Sequence, residues 1–358
     1  MTTARSELVD LDVTRYYHCI SRCVRRAFLC GEGFEHRRQW IEDRLEMLAG
    51  HFAVSVCGFS VMGNHMHVLV RLDPVTANGW SEEQVAQRWL AVYPPRTADL
   101  SKPKILKMLV DEILKDDELV AKYRQRLQDL GWFMKALKEP LARMANKEDD
   151  CRGTFWESRY KSIAILDEEA LLMTCAYIDL NPVAAGIAST PETSRHTSVR
   201  QRVQHVKSKG KLDQLKAATT GSVAGSRTAS RIEQDHWLCP LDDRRELDKS
   251  GGVNHRGKSG LPREGMLDGF SLGSYLLLVD YTSRLFRQGK ARISRDVAGI
   301  LERLGTSAEL WGHRVKKLFA RSRLIGSYFS TDANCLRELA EQRGVHHLNN
   351  LVALPGGG

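Results

Sequence analysis

Two apolar runs separated by a short polar turn constrain the fold of this chain more than any other feature. The run "FAVSVCGFSV" (52–61) is rich in β-branched and aromatic residues, as is typical of a strand, and "HMHVLVRL" (65–72) is a second run of the same kind. Gly63 and Asn64 lie between them and are a turn signal. The sequence therefore predicts an antiparallel hairpin.

The second strand of this hairpin carries two histidines. Because residues i and i+2 of a strand point to the same side, His65 and His67 project together, with Leu69 and Arg71 further along. The opposite face is apolar and consists of Met66, Val68, Val70 and Leu72. Two adjacent imidazoles are a natural pair of metal ligands, and two half-exposed surface histidines are the ordinary alternative. The pattern alone leaves both interpretations open.

The segments around the hairpin predict the order β-α-β-β. Residues 15–24 ("RYYHCISRCV") are typical of a strand, and residues 35–50 have helical spacing of apolar residues. A long polar stretch at 80–148 has helical periodicity interrupted by Pro103, Gly131 and Pro140, which predicts two or three helices.

A further predicted helix, at 167–187, contains a tyrosine beside its apolar stripe. Asp167 is suited to cap its N-terminus, and Pro182 predicts that it ends near Asn181. Tyr177 lies off the stripe formed by Leu171, Cys175 and Ile178. Its hydroxyl is therefore expected either to reach a site beside the packed face or to be solvated at the rim.

The charge balance favours a polyanionic partner. Lys plus Arg number 53 against 44 Asp plus Glu, for a net charge of +9 and a pI near 9.1. The chain has no long apolar run and its N-terminus lacks the apolar segment of a secretory signal, so we expect no membrane partner and a cytoplasmic location.

The eight cysteines are scattered along the chain, and we expect most of them to be small buried side chains. The alternative is a zinc site formed by Cys19, Cys23 and Cys30, although their spacing is unusual for zinc ligands.

The histidine pair and the tyrosine together suggest one chemistry. A cation held by His65 and His67 would polarise a phosphodiester, and the Tyr177 hydroxyl would attack its phosphorus, leaving a phosphotyrosine and a free 3′-hydroxyl. The ordinary tyrosine pKa of about 10 requires a nearby base or cation. Asn181, one turn later, offers an amide oxygen; such a ligand suits Mg²⁺, and the mixed nitrogen and oxygen set suits Mn²⁺.

Four segments resemble the single-tyrosine transposases, and they occur in that family's order: "YYHCISRC", "NHMHVLV" with the family's His-hydrophobic-His motif, "GTFWESRYKS", and "AYIDLNPVAAGI" with its tyrosine helix. The resemblance is greatest to the REP-associated tyrosine transposases and covers roughly residues 14–200. It implies an α+β fold with a ferredoxin-like catalytic domain and an antiparallel sheet. The long helical insert at 80–148 and everything after 205 depart from the compact members of the family.

The resemblance also implies an activity and its residues. It implies cleavage and rejoining of single-stranded DNA, often hairpin-containing, through a 5′-phosphotyrosine. From the ligand types we expect Mg²⁺ or Mn²⁺ as cofactor, and a homodimer is a possible assembly. Tyr177 corresponds to the nucleophile, and His65 and His67 to the metal ligands. Asn181 corresponds to the third ligand, although the insertion-sequence members usually have the longer Gln at that place.

Composition predicts how the rest of the chain is organised. Residues 206–234 have the Lys, Gly, Ser, Thr and Ala content of a linker. The expected divisions are a flexible N-terminus at 1–14, the catalytic domain at 15–205, a linker at 206–235, a mainly helical C-terminal unit of unknown role at 236–350, and a disordered tail at 351–358.

Basic and aromatic residues near the expected site are candidates for contacts with DNA, because cations neutralise phosphates and rings stack on unpaired bases. The candidates are Arg22, Arg25, Arg26, Arg152, Trp156, Arg159, Tyr160 and Lys161. The ordinary alternatives are a solvated face for the arginines and core packing for Phe155 and Trp156. Along the predicted helix at 313–323, Arg314, Lys316, Lys317 and Arg321 offer either a grip on DNA or a solvated face.

Two other functions compete with strand transfer. The first is a non-catalytic protein that binds single-stranded nucleic acid on the same scaffold and forms no covalent adduct. The second is a zinc hydrolase built on the histidine pair, whose activity would survive loss of Tyr177. The absence of an HExxH spacing argues mildly against the hydrolase.

Overall fold

A computed structural model describes the greater part of the chain. The described residues are 9–218, 231–232, 234, 236–242, 264–288, 298–299, 301–302, 305–320, 328–342 and 351–353. The first eight residues of the expected flexible N-terminus, the linker from 219 to 230 and the tail after 353 lie outside these ranges.

The protein is a mixed α/β structure built on one six-stranded sheet. The strands are β1 (Tyr16–Arg22), β2 (Val54–Val61), β3 (His65–Leu72), β4 (Lys161–Ile165), β5 (Tyr328–Ser330) and β6 (Leu351–Ala353). Their order across the sheet is β2-β3-β1-β4-β5-β6, with antiparallel pairing from β2 to β4 and parallel pairing from β4 to β6. The expectation of a disordered tail is therefore wrong for residues 351–353, which pair with β5.

Twelve named helices accompany the sheet in the described ranges. They are α1 (Glu35–His51), α2 (Pro74–Asn78), α3 (Glu82–Val92), α4 (Pro103–Ile113), α5 (Asp117–Arg126), α6 (Leu130–Glu148), α7 (Glu168–Ala184), α8 (Ser198–Ser208), α9 (Leu212–Ala218), α10 (Leu272–Gln288), α11 (Ala308–Ala320) and α12 (Ala333–Gln342). The predicted order β-α-β-β is confirmed by β1, α1, β2 and β3.

The predicted hairpin is confirmed, but both of its faces are buried. Met66, Val68 and Val70 face a core formed with α1 and the helical insert, as expected. Leu69, on the histidine face, belongs to a second core that contains α7. The sheet therefore separates two cores, and the histidines lie at the edge of one of them.

The helical insert contains more helices than its breaks predict. Four helices, α3 to α6, lie within residues 80–148, and the short α2 precedes them after β3. Pro140 lies inside α6 and does not end it, whereas Pro103 begins α4, where a missing N–H costs nothing. The insert stacks Trp89 against Tyr123, with ring centroids 4.1 Å apart, and packs on α1. Packing of this kind outweighs the local helix-breaking signal of Pro140.

The tyrosine helix α7 also runs past its expected end. Asp167 caps it as predicted, because its Oδ1 accepts a hydrogen bond from the Ala170 N–H at 2.7 Å. Pro182 lies inside the helix, which continues to Ala184. Burial on several sides accounts for the difference, since α7 packs on the sheet and also on α10 and α11.

The C-terminal elements share a core with the first half of the chain, which differs from the expected separate unit. α8 and α9 occupy residues 198–218, so the first part of the expected linker is helical. Trp311 and Tyr275, both fully buried, belong to the same core as α7. Arg314 donates to Glu169 at 2.6 Å in a buried ion pair, so it holds α11 on α7 and is not available as a contact to DNA.

A buried carboxylate connects α7 to two neighbouring helices. Asp179 Oδ1 accepts hydrogen bonds from the Ser198 hydroxyl at 2.5 Å and the Val199 N–H at 2.8 Å, both at the start of α8. Its Oδ2 accepts the Tyr275 hydroxyl of α10, and the Arg202 guanidinium lies 3.7 Å away. Asp179 is fully buried, so these donors replace the water that the charge would otherwise hold.

We expect Asp179→Asn to lower the free energy of unfolding by about 3–5 kcal/mol, because it removes one partner from a buried, charged network. Urea unfolding followed by circular dichroism measures the change. Asp111→Asn, at an exposed position of α4, is the matched control and should change stability by less than about 0.5 kcal/mol. Equal effects of the two substitutions would contradict this role for Asp179.

Candidate functional site

The pairing register brings the predicted strand residues onto one face of the sheet. Arg22 lies opposite His65 and Ile20 lies opposite His67 across β1 and β3. Lys161 of β4 lies opposite Ile20 on the other side of β1. Since directly paired residues share a face, these five side chains form a continuous patch at one end of three adjacent strands.

A cavity of about 270 Å³ lies between this patch and α7. It is lined by the five strand residues just described, together with Tyr177, Asn181, Ala184, Ala185 and Phe319. The structure therefore brings together six residues that the sequence singled out separately: Arg22, His65, His67, Lys161, Tyr177 and Asn181.

The aromatic rings of the cavity are in close contact. The centroids of the His65 and His67 rings are 5.0 Å apart, and those of His67 and Tyr177 are 5.5 Å apart, with nearly perpendicular planes in both pairs. Tyr177 is only 8 % exposed, and Asn181, one turn later on α7, lines the same cavity. The hydroxyl therefore lies at the cavity wall and not at a solvated rim.

A third histidine, which the sequence analysis did not single out, lies behind the pair. His18 of β1 is fully buried, and its Nε2 is 2.9 Å from His67 Nδ1. Its own Nδ1 has no hydrogen-bond partner among the described residues. If His67 Nδ1 carries the proton and donates to His18, the lone pair of His67 Nε2 remains available. The alternation of His18 and Arg22 along β1 is the signal that would have found it.

His65 is oriented by its neighbour in the turn. Its Nδ1 lies 2.6 Å from Asn64 Oδ1, which is an acceptor, so Nδ1 carries the proton and Nε2 keeps its lone pair. Fixing one ring nitrogen by a hydrogen bond is the usual arrangement of a histidine whose other nitrogen binds a metal ion.

Burial keeps all three imidazoles neutral near pH 7. Desolvation lowers the pKa of His18 to about 3. Desolvation, followed by the charge of Arg22, lowers the pKa of His65 to about 4. The pKa of His67 lies well below its ordinary value, again chiefly because of burial. Neutral imidazoles have lone pairs to offer, whereas imidazolium ions have none.

The surroundings of the Tyr177 hydroxyl have opposing effects on its pKa. Burial raises the pKa of Tyr177, while the neighbouring Asn181 amide and the charge of Arg22 act in the lowering direction. The phenol is therefore protonated at neutral pH in the absence of a further cation. The Phe319 ring of α11 lies 4.9 Å from the Tyr177 ring, so a residue from the C-terminal part of the chain completes the wall.

The described residues that line the cavity include no carboxylate that could bind a metal ion. In the described part of the chain, no group of three or more His, Cys, Asp or Glu residues is arranged to hold a metal ion. Cys19, Cys23 and Cys30 are buried free thiols. A cation in this cavity would have two imidazole nitrogens and the Asn181 amide oxygen as protein ligands, a set that fits Mn²⁺ better than a strictly oxygen-seeking ion.

The expected DNA contacts fall into different environments. Arg25, Arg26, Arg152 and Arg159 are exposed. Trp156 is half-buried, and its Nε1 donates to the Lys138 carbonyl at 3.1 Å. The expectation that Tyr160 stacks on a base does not match its position, because its ring is buried in the core that contains α1. Apolar contact with that core outweighs its place in a basic, aromatic segment.

Comparison with known proteins finds one similar solved structure and no similar family or curated protein. No family model and no curated protein matches it. One solved structure, titled as a REP-associated tyrosine transposase bound to a REP hairpin, is similar over 57% of this chain and 86% of that one, with 12% identity and a TM-score of 0.34.

No helix in the described ranges is long and apolar enough to cross a membrane.

The buried histidines predict acid sensitivity. Above pH 6.5 His18 is neutral in both states, but as the pH falls the unfolded chain takes up the proton first, so stability is lost between pH 6.5 and about 3. For His18 we expect a loss of about 2 kcal/mol between pH 7 and pH 5. His18→Gln should remove this part of the pH dependence.

Urea unfolding at both pH values, in buffer containing a chelator, measures the difference. His313→Gln is the matched control, because His313 is exposed on α11. The same loss of stability in wild type and His18→Gln would show that His18 is not held neutral by burial.

Proposed function

We propose that this protein is a metal-dependent single-tyrosine DNA transposase, or a single-strand endonuclease derived from one, on a ferredoxin-like scaffold. The observation that carries the proposal is the position of the Tyr177 ring, 5.5 Å from the His67 ring on the wall of a cavity that His65 also lines. A hydroxyl nucleophile beside two neutral imidazoles that can bind a cation is an arrangement suited to metal-assisted transesterification.

The proposed reaction exchanges one phosphodiester for another. The Tyr177 oxygen bonds to phosphorus, the bond from phosphorus to the 3′-oxygen breaks, and the phenolic proton is lost while the 3′-oxygen gains one. The 5′-phosphate then remains on the tyrosine. A second 3′-hydroxyl attacks this phosphotyrosine and releases Tyr177, so no outside source of energy is consumed.

His65, His67 and Asn181 would hold Mg²⁺ or Mn²⁺, which supplies positive charge to the scissile phosphate. Their Nε2 lone pairs and the amide oxygen fit this role, because Asn64 and His18 engage the other ring nitrogens. Asn181 lines the same cavity as the two histidines, and its side-chain amide has both an oxygen that can bind a cation and a nitrogen that can donate a hydrogen bond.

The remaining cavity side chains would neutralise the substrate phosphate and affect the pKa and the solvent access of Tyr177. Arg22 and Lys161 place two positive charges on the cavity wall, where they would neutralise phosphate oxygens. The charge of Arg22 also opposes the rise in the Tyr177 pKa. Phe319 packs against the tyrosine ring and would limit access of water to the phosphotyrosine.

The test is covalent capture. Single-stranded DNA that carries hairpins from the sequence around the gene is labelled at its 3′ end and incubated with Mg²⁺ or Mn²⁺, and adducts are resolved on a denaturing gel. Wild type should give a metal-dependent adduct, and Tyr177→Phe should give less than about 1% of it. Tyr123→Phe, in the helical insert, is the matched control and should react as wild type does.

The competing function is binding without chemistry, and the raised pKa of the buried Tyr177 hydroxyl favours it. It predicts that wild type, Tyr177→Phe and Tyr123→Phe all retain labelled DNA on a native gel and that none of them forms an adduct on the denaturing gel. An adduct that persists in Tyr177→Phe would move the nucleophile to another residue. Persistence of metal-dependent hydrolysis without any adduct would favour the hydrolase.

Metal affinity tests the role of the histidines separately. Titration of Mn²⁺ followed by electron paramagnetic resonance, without DNA, should show that His67→Ala abolishes binding. His18→Phe should weaken binding about 10- to 100-fold, because it removes the hydrogen bond that orients His67. His313→Ala is the exposed control. Unchanged affinity in His67→Ala would place the cation elsewhere.

A further inference from the structure

The loop between β1 and α1 is fastened to the turn that precedes His65. The Cys23 N–H donates to the Asn64 carbonyl and the Cys30 N–H to the Gly63 carbonyl, both at 2.8 Å. The Asn64 side-chain amide in turn donates to the Arg26 carbonyl at 3.2 Å. Residues 23–31, which we call the arginine loop, are therefore held beside the candidate cavity.

Two consecutive arginines of this loop have left-handed backbone conformations. Arg25 has φ of 53° and Arg26 has φ of 56°, values that residues with a side chain adopt rarely. Strained backbone of this kind persists where surrounding contacts enforce it, and it clusters at functional sites. Both side chains are exposed, and neither forms an ion pair with a carboxylate in the described ranges. The backbone contacts thus hold two cationic side chains in solvent.

The same loop exposes an aromatic ring. Phe28 is 68 % exposed and belongs to neither of the two cores. Its ring rests on two glycines, because a Cβ on Gly63 would come within 2.9 Å of Phe28 Cδ1 and one on Gly31 within 2.9 Å of Phe28 Cβ. The lack of side chains at these two positions lets one side of the ring pack on backbone while the rest stays open to solvent.

The ring lies close to the candidate site. Gly63, on which it packs, is two residues from His65, so the two Cα atoms are at most about 7 Å apart. Arg22, the last residue of β1 and the residue directly before the arginine loop, lines the cavity itself. From 22 to 34 the chain carries three arginines and one acid, Glu32, so the surface is suited to a polyanion.

We propose that the arginine loop binds the single strand next to the scissile phosphate, with an unpaired base stacked on Phe28 and flanking phosphates neutralised by Arg25 and Arg26. An exposed ring beside cations is the combination that binds single-stranded nucleic acid, since every base offers a π face and every linkage a negative charge. The inference rests on the proposed single-stranded DNA substrate, and it adds Phe28 as a stacking contact to Arg25 and Arg26, which the sequence analysis had already singled out.

The test measures equilibrium binding without chemistry. Fluorescence anisotropy of a labelled, unstructured oligonucleotide is recorded in buffer with a chelator for wild type, Phe28→Ala and Phe28→Trp, and then repeated with the matching duplex. Phe28→Ala should bind the single strand about 5- to 100-fold more weakly, and Phe28→Trp should bind within about twofold of wild type. The duplex should show no difference, because its bases are already stacked on one another.

Salt dependence separates stacking from charge. Arg25→Gln and Arg26→Gln should each reduce the slope of log affinity against log salt by about 0.7, whereas Phe28→Ala should leave the slope unchanged. Thermal unfolding checks that the variants are folded, which the exposure of all three side chains favours.

The outcomes distinguish this inference from the proposed function. Wild-type affinity of Phe28→Ala for the single strand, or an equal loss on single strand and duplex, would overturn the stacking contact alone. Failure of wild type to bind any single strand would overturn both. If Phe28→Ala binds the single strand more weakly as expected but no phosphotyrosine forms in wild type, the stacking contact stands and only the proposed chemistry is overturned.

Discussion

The buried carboxylate of Asp179 is the interaction on which the candidate site depends. It lies two residues after Tyr177 and two before Asn181 on α7, and its partners fix that helix to the starts of α8 and α10. Each residue step turns an α-helix by about 100°, so the rotation of α7 about its own axis decides whether the tyrosine faces the histidines. The Asp179 carboxylate can reach its hydrogen-bond donors in only one rotation of α7. It therefore fixes this rotation more sharply than apolar packing, which many rotations allow.

The histidine face shows how a buried sheet surface can carry polar chemistry. His18 and His67 satisfy each other by one hydrogen bond, and His65 uses the turn residue Asn64. Because His18 and His67 are buried and His65 is half-buried, their ordinary affinity for protons is reduced, and lone pairs that solvent would protonate in mild acid stay free. The same burial works against the tyrosine, whose hydroxyl needs positive charge nearby before it can ionise.

The sequence predicts what local pattern determines. The hairpin, the shared face of His65 and His67, the cap at Asp167 and the presence of a helix at Tyr177 all follow from periodicity and turn chemistry, and the structure contains them. What it could not predict depends on contacts distant in sequence. Burial of Tyr160, continuation of α7 past Pro182 and insertion of Phe319 into the cavity wall each result from packing between segments that no single window compares. The ferredoxin-like assignment, the metal and the chemistry stay predictions.

The packing of α10 and α11 on α7 has a consequence for biosynthesis. The ribosome delivers β1 to β4 and α7 long before it delivers Tyr275, Trp311 and Phe319, which cover the outer side of α7. During that interval an apolar helix surface and the charge of Glu169 have no partner, so the nascent chain is a natural client for a chaperone. The cavity wall beside Tyr177 closes only when α11 arrives, so the candidate site is complete only late in synthesis.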